Sequence, residues 1–142
     1  MTSILRSVLR SALATLPVLG VAAPTLAADS PPPTFNNHCR TCHSVKQGDN
    51  RLGPSLHNIY GAKAGSAPGY ANYSQGLKSS GITWDEASLD KFIENPDQVI
   101  PNNNMKPYRG LDDEAVRKQI VSFLKSQSAA ATDQPDTPAA DP

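Results

Sequence analysis

Cys39-Arg40-Thr41-Cys42-His43 is the stretch on which the reading of this chain turns. It holds both cysteines of the 142 residues, three positions apart, with a histidine directly after the second. A short helix is expected from about Thr34 to Val45, after Pro31-Pro32-Pro33 and before Gly48. On a helix, residues three apart share a face. Two thiols on one face, followed by an imidazole, suit covalent attachment of a c-type haem. Each thiol adds to a vinyl group on one porphyrin edge, and His43 supplies an axial nitrogen to the iron. Three other readings fit less well. A thioredoxin-type dithiol needs a βαβ setting that the flanking residues do not provide. A structural zinc needs about four ligands, and only His38 or His57 remains to complete a set. A disulfide leaves His43 unused.

Working outward, residues 46–82 are rich in Gly, Pro, Ser, Asn and Tyr, without sustained strand-like alternation. So long a loop in a small domain is either disordered or wrapped around something. Aromatics are only 6% of the chain, which makes for a thin core that a bound group would help fill. Thr83-Trp84-Asp85-Glu86 predicts a capping box opening a helix with an apolar stripe of Leu89, Phe92 and Ile93. That helix should stop at Asn95, because Pro96 follows. A last helix is predicted from Asp113 to about Lys125, capped by Asp112, with Val116, Ile120, Phe123 and Leu124 on one face. The expected fold is all-α: a few short helices and long loops wrapped around one covalently bound haem.

The sixth iron position has three candidates. Met105 stands in Ile100-Pro101-Asn102-Asn103-Asn104-Met105-Lys106-Pro107-Tyr108, among polar and helix-breaking neighbours. It therefore serves no apolar helical face, and a thioether on a stiff loop suits a distal ligand. His38 and His57 are its rivals.

The chain ends read differently. Arg6 and Arg10 precede a short apolar run, and Thr25-Leu26-Ala27 offers small residues for cleavage, the pattern of a secretory signal over 1–27. The run is shorter than the roughly 20 residues a spanning helix needs and contains Pro17. Export to the periplasm is expected, with no stable membrane insertion after cleavage. Losing two arginines leaves 11 basic against 13 acidic residues, with no basic excess to suggest a nucleic-acid partner. The folded domain is expected over 28–126, and the Ala/Pro/Asp-rich residues 127–142 as a disordered tail.

With these motifs in order, the segment from Phe35 to Leu124 resembles the class I c-type cytochromes, in particular the small mitochondrial-type cytochromes c of bacteria. The resemblance rests on Phe35 four residues before Cys39, the C-x-x-C-H run and Gly53-Pro54-Ser55-Leu56. Tyr70, Tyr73, Ile82-Thr83-Trp84, Asn95-Pro96, Pro101, Met105 and Gly110-Leu111 follow. It implies thioethers at Cys39 and Cys42, and iron ligation by His43 and Met105. It further implies a Pro54 carbonyl that accepts the second ring N–H of His43, and a haem propionate held by Tyr73 and Trp84. Phe35 and Phe123 are expected to pack where the first and last helices cross. The chain departs from the family pattern with Ala62 after Gly61 in place of an Arg, and with Phe92 in place of a Tyr that reaches the Met sulfur. Pro31 replaces a small Gly, and the segment after Met105 is one residue longer.

Function follows as an expectation. Iron with both axial positions filled has no open place for substrate, so the protein is expected to be a carrier of single electrons and not an enzyme. It would be monomeric and dock transiently on a reductase and an oxidase, across a modest, charge-tuned interface. Lys46, Lys63, Lys78, Lys91 and Lys106 are candidates for a ring around the exposed haem edge. The alternative is a haem c protein with a labile Met105 that binds small ligands or reacts with peroxide.

Overall fold

The computed structural model describes residues 30–132; the expected signal segment 1–27 and residues 133–142 of the expected tail lie outside the described residues. Five helices follow one another: α1 (Pro33–His38), α2 (Gln75–Ser79), α3 (Glu86–Glu94), α4 (Pro96–Val99) and α5 (Glu114–Thr132). Among the described residues no strand forms, and Lys63 and Thr83 make one isolated antiparallel bridge. The all-α expectation holds.

Helix boundaries depart from the sequence expectations for local reasons. Pro33 opens α1 at a position where its missing N–H costs nothing. The helix ends at His38, well before Val45, because later residues pair elsewhere: the Gly53 N–H donates to the Cys42 carbonyl (2.8 Å) and the Leu56 N–H to the Ser44 carbonyl (2.7 Å). The run Cys39 to His43 therefore occupies a turn beyond the helix, although the His43 N–H still reaches the Cys39 carbonyl at 2.9 Å. Thr83 does not cap α3. The Trp84 N–H and carbonyl are engaged with the Ala62 carbonyl and the Gly61 N–H (2.9 and 2.7 Å), so helical backbone starts only after Asp85. There Asp85 and Ser88 form the capping box. Helix α3 does stop at Asn95, whose side chain then caps α4. At α5, Asp113 caps in place of Asp112 by accepting the Val116 N–H at 3.1 Å. The helix continues past Lys125 to Thr132, so residues 127–132 are helical where a disordered tail was expected.

The core lies where α3 and α5 pack, with α1 crossing α5. Phe35 and Phe123 meet edge to face at 5.2 Å, and Trp84, Leu89, Ile93, Ile120, Val121 and Leu124 complete the cluster. Arg117, its side chain 6% exposed, donates to Asp90 at 2.8 Å and to the Leu111 and Asp112 carbonyls at 2.9 Å. A cation so enclosed is tolerable only because every face finds a partner, and it fixes the start of α5 on α3.

Candidate functional site

The thin core borders a cleft of about 600 Å³, within the range of pockets that enclose a small cofactor. All seven residues singled out from the sequence line it: Cys39, Cys42, His43, Pro54, Tyr73, Trp84 and Met105. Its apolar wall includes Leu56, Ile59, Phe92 and Ile120.

His43 is buried, and its Nδ1 lies 2.8 Å from the Pro54 carbonyl. An acceptor on that side keeps the proton on Nδ1 and leaves the Nε2 lone pair free. Burial holds the His43 pKa below its usual value, partly opposed by the Pro54 carbonyl, so the ring is neutral, as a metal ligand must be. Gly53 lies flat against the imidazole: a Cβ there would sit 2.3 Å from Cε1 and 2.9 Å from Nε2. Sequence reasoning saw Gly53 only as part of a resemblance and missed this role, since nothing local distinguishes a close-packing glycine from a turn glycine.

Cys39 and Cys42 are both half-buried, and no disulfide joins them. Burial and the neighbouring Cys42 push the Cys39 thiol up to about 12. Dithiol redox centres work the opposite way, through a depressed thiol pKa. Among the described residues no group of three or more His, Cys, Asp or Glu side chains is placed to hold a metal ion.

Met105 reaches the cleft from the loop after α4, half-buried, with its N–H on the Asn103 side-chain oxygen at 2.9 Å. Tyr73 accepts the Ala67 N–H at 3.2 Å, which leaves its own O–H proton free to donate. Trp84 is 4% exposed and tilts against Phe92 at 5.1 Å. His38 and His57 also line the cleft, but each belongs to a segment adjoining that of His43 or Pro54, whereas Met105 enters from elsewhere. Of the five lysines considered, Lys63 and Lys106 line the cleft and Lys46, Lys78 and Lys91 do not. Lys106 is paired with Asp97.

Two thiols, a neutral imidazole with a bare nitrogen and a thioether around apolar walls fit haem c, and they do so on an all-α scaffold of short helices. That combination defines a class I c-type cytochrome. The comparisons agree. The cytochrome c family model matches residues 33–128. The chain is 44% identical over 100 residues to cytochrome c2 iso-1 of Magnetospirillum molischianum, covering 70% of this chain and 98% of that protein. It is 45% identical over 93 residues to cytochrome c2 of Rhodomicrobium vannielii, covering 63% and 70%. The solved structure of cytochrome cH from Methylobacterium extorquens superposes with a TM-score of 0.59 at 37% identity, over 66% of this chain and 91% of that one. The chain belongs to the cytochrome c family, as an electron carrier with haem c attached through Cys39 and Cys42.

Proposed function

We propose that this protein shuttles single electrons between a reductase and an oxidase of an electron transport chain, with His43 and Met105 as the axial ligands. Haem c supplies the chemistry, a reversible Fe(II)/Fe(III) couple. The observation that carries the reading is the fixing of His43. Its Nδ1 is held by the Pro54 carbonyl at 2.8 Å and its ring face by Gly53, which aims Nε2 into a cleft that also receives Met105. Filling both axial positions with side chains excludes substrate from the iron. Tyr73 and Trp84, aromatics with a polar tip that line the cleft, are the proposed donors to a propionate. Docking is transient and charge-tuned, with Lys63 and Lys106 beside the cleft. The protein is proposed to work as a periplasmic monomer, exported by residues 1–27, with its folded domain beginning at about residue 28. In support, no helix among the described residues is long and apolar enough to cross a membrane.

Spectra of the holoprotein and of Met105→Ala, oxidised and reduced, test the reading. The oxidised protein should show the near-infrared Met–Fe band, and the variant should lack it. Identical spectra for the two would remove Met105 from the iron.

One observation favours the alternative, a labile Met105. Phe92 lines the cleft and carries no hydroxyl for the Met sulfur, and the nearby Tyr108 hydroxyl is committed to the Ile93 carbonyl at 2.7 Å. Ready binding of carbon monoxide by the reduced protein at neutral pH would favour that reading over pure electron transfer.

A further inference from the structure

The Met105 loop is tied down from both sides through one carboxylate. Asn103, 5% exposed, uses its whole amide. Its Oδ1 accepts the Met105 N–H at 2.9 Å, and its Nδ2 donates to the Ile100 carbonyl at 3.0 Å and to Asp97 Oδ1 at 2.8 Å. On the other flank, the Lys106 ammonium bonds both oxygens of the same Asp97. Asp97 sits in α4, whose first residue Pro96 is fully buried and whose start is capped by Asn95. The loop is pinned again at Asn104, which donates to the Asn72 carbonyl at 2.9 Å. An aspartate that is half exposed in its ion pair contributes little to global stability, yet it is the shared anchor of the residues on either side of a methionine. A Met side chain is unbranched and freely rotating, so it fixes its sulfur poorly by itself, and holding the backbone limits the positions the thioether can reach.

We propose that Asp97 and Asn103 are positioning residues that hold the Met105 backbone so that its thioether stays on the iron. They thereby take over the restraint that a hydroxyl at position 92 would otherwise provide. The proposal rests on the reading of Met105 as the distal ligand. Lys106 secures the carboxylate, Asn103 transmits its position to the Met105 N–H, and α4 supplies the rigid base. The sequence hides this arrangement, because Asn102-Asn103-Asn104 reads as an undifferentiated turn.

Imidazole binding to the oxidised holoprotein tests it, since imidazole enters only where the thioether leaves. Asn103→Ala and Asp97→Ala should each bind imidazole about tenfold more tightly than the unaltered protein, the equivalent of about 1.4 kcal/mol. Asp97→Asn, which keeps an acceptor for Asn103, should show a smaller gain. The double variant should exceed Asn103→Ala by little, because both residues act along one chain of contacts. The denaturation midpoint of Asp97→Ala should stay near that of the unaltered protein. Equal imidazole affinity in Asp97→Ala and the unaltered protein, with the Met–Fe band intact in both, would overturn the proposal and leave Met105 as ligand. Met105→Ala with unaltered imidazole affinity and spectrum would instead overturn the ligand assignment itself. If Asn103→Ala fails to fold, Asp97→Ala alone decides.

Discussion

Replacing Gly53 by Ala should damage the haem site more than its single methyl group implies. The added Cβ would lie 2.3 Å from His43 Cε1, 2.7 Å from Nδ1 and 2.9 Å from Nε2. Carbon atoms in contact sit at about 3.5 Å or more, so ring and backbone must separate by about 1.2 Å. The backbone cannot easily yield. The Gly53 N–H is bonded to the Cys42 carbonyl at 2.8 Å, and the Gly53 carbonyl accepts the Arg51 N–H at 2.9 Å. Most of the movement therefore falls on the imidazole, whose Nδ1 is tied to the Pro54 carbonyl at 2.8 Å. Metal–ligand distances tolerate only about 0.2 Å, roughly a sixth of the required shift. Overpacking of this kind costs about 1–3 kcal/mol, and the strain on ligation adds a spectral consequence.

Two measurements on the holoprotein check this. Denaturant unfolding should show Gly53→Ala less stable by about 1–3 kcal/mol. The visible spectrum should change from that of a protein with two strong axial ligands. Gly48→Ala is the control: its φ is +71° but nothing lies within 4 Å of the added Cβ. That change should cost only the left-handed backbone penalty, about 1–2 kcal/mol, and leave the spectrum alone. A Gly53→Ala protein with an unaltered spectrum and a stability within about 0.5 kcal/mol of the original would refute the reasoning.

Two further outcomes are expected from the core and from the caps. Ile120 is fully buried and borders the cleft, so Ile120→Ala should lower stability by about 2–5 kcal/mol in denaturant unfolding. A loss under about 1 kcal/mol would mean that its surroundings collapse to fill the space. At acid pH, Asp85 is held below its usual value by its bonds to Ser88, and Glu114 by its bond to Lys118. A lowered folded pKa means that the stabilisation is present above the unfolded values, 3.8 and 4.5. It is lost as pH falls through the lower folded values. Stability should therefore drop below about pH 4, and Asp85→Asn with Glu114→Gln should flatten that limb; an unchanged acid slope would discard both groups.

The parts of this molecule that were legible in the sequence are those set by covalent spacing or by long periodic faces. Cys39, Cys42 and His43 are neighbours in the chain, so their convergence needs no knowledge of packing. Leu89 and Ile93 on α3, and Ile120 and Leu124 on α5, fall at helical intervals and are buried together. The short helices were not legible. Residues 75–79 and 96–99 are too few for a periodic face, and each is nucleated by one side-chain cap, Ser74 or Asn95. The displaced start of α3 shows why even a strong local signal can miss by two residues. Thr83 with Glu86 has the form of a capping box, but Thr83 is bridged to Lys63 and Trp84 to Gly61 and Ala62. A long-range extended pairing therefore overrides the local preference.

That pairing also sets one wall of the cleft. By fixing Trp84 to the segment at 61–62, it sets one aromatic wall against Phe92 while the loop between them passes around the cavity. The 49–53 segment is fastened to the same loop, through Asn50 to the Pro68 carbonyl at 3.0 Å and the Tyr70 hydroxyl to the Leu52 carbonyl at 2.8 Å. Hydrogen bonds fix the backbone around the cleft on two sides, from Asn50 and Tyr70 on one and at Asn103 and Asn104 on the other. The burial that completes the fold is then left to the haem bound through Cys39 and Cys42. Beside its apolar wall, the cleft is therefore shaped by Asn103, Asn104, Tyr70, Tyr73 and Gly53, types that a search for apolar periodicity passes over.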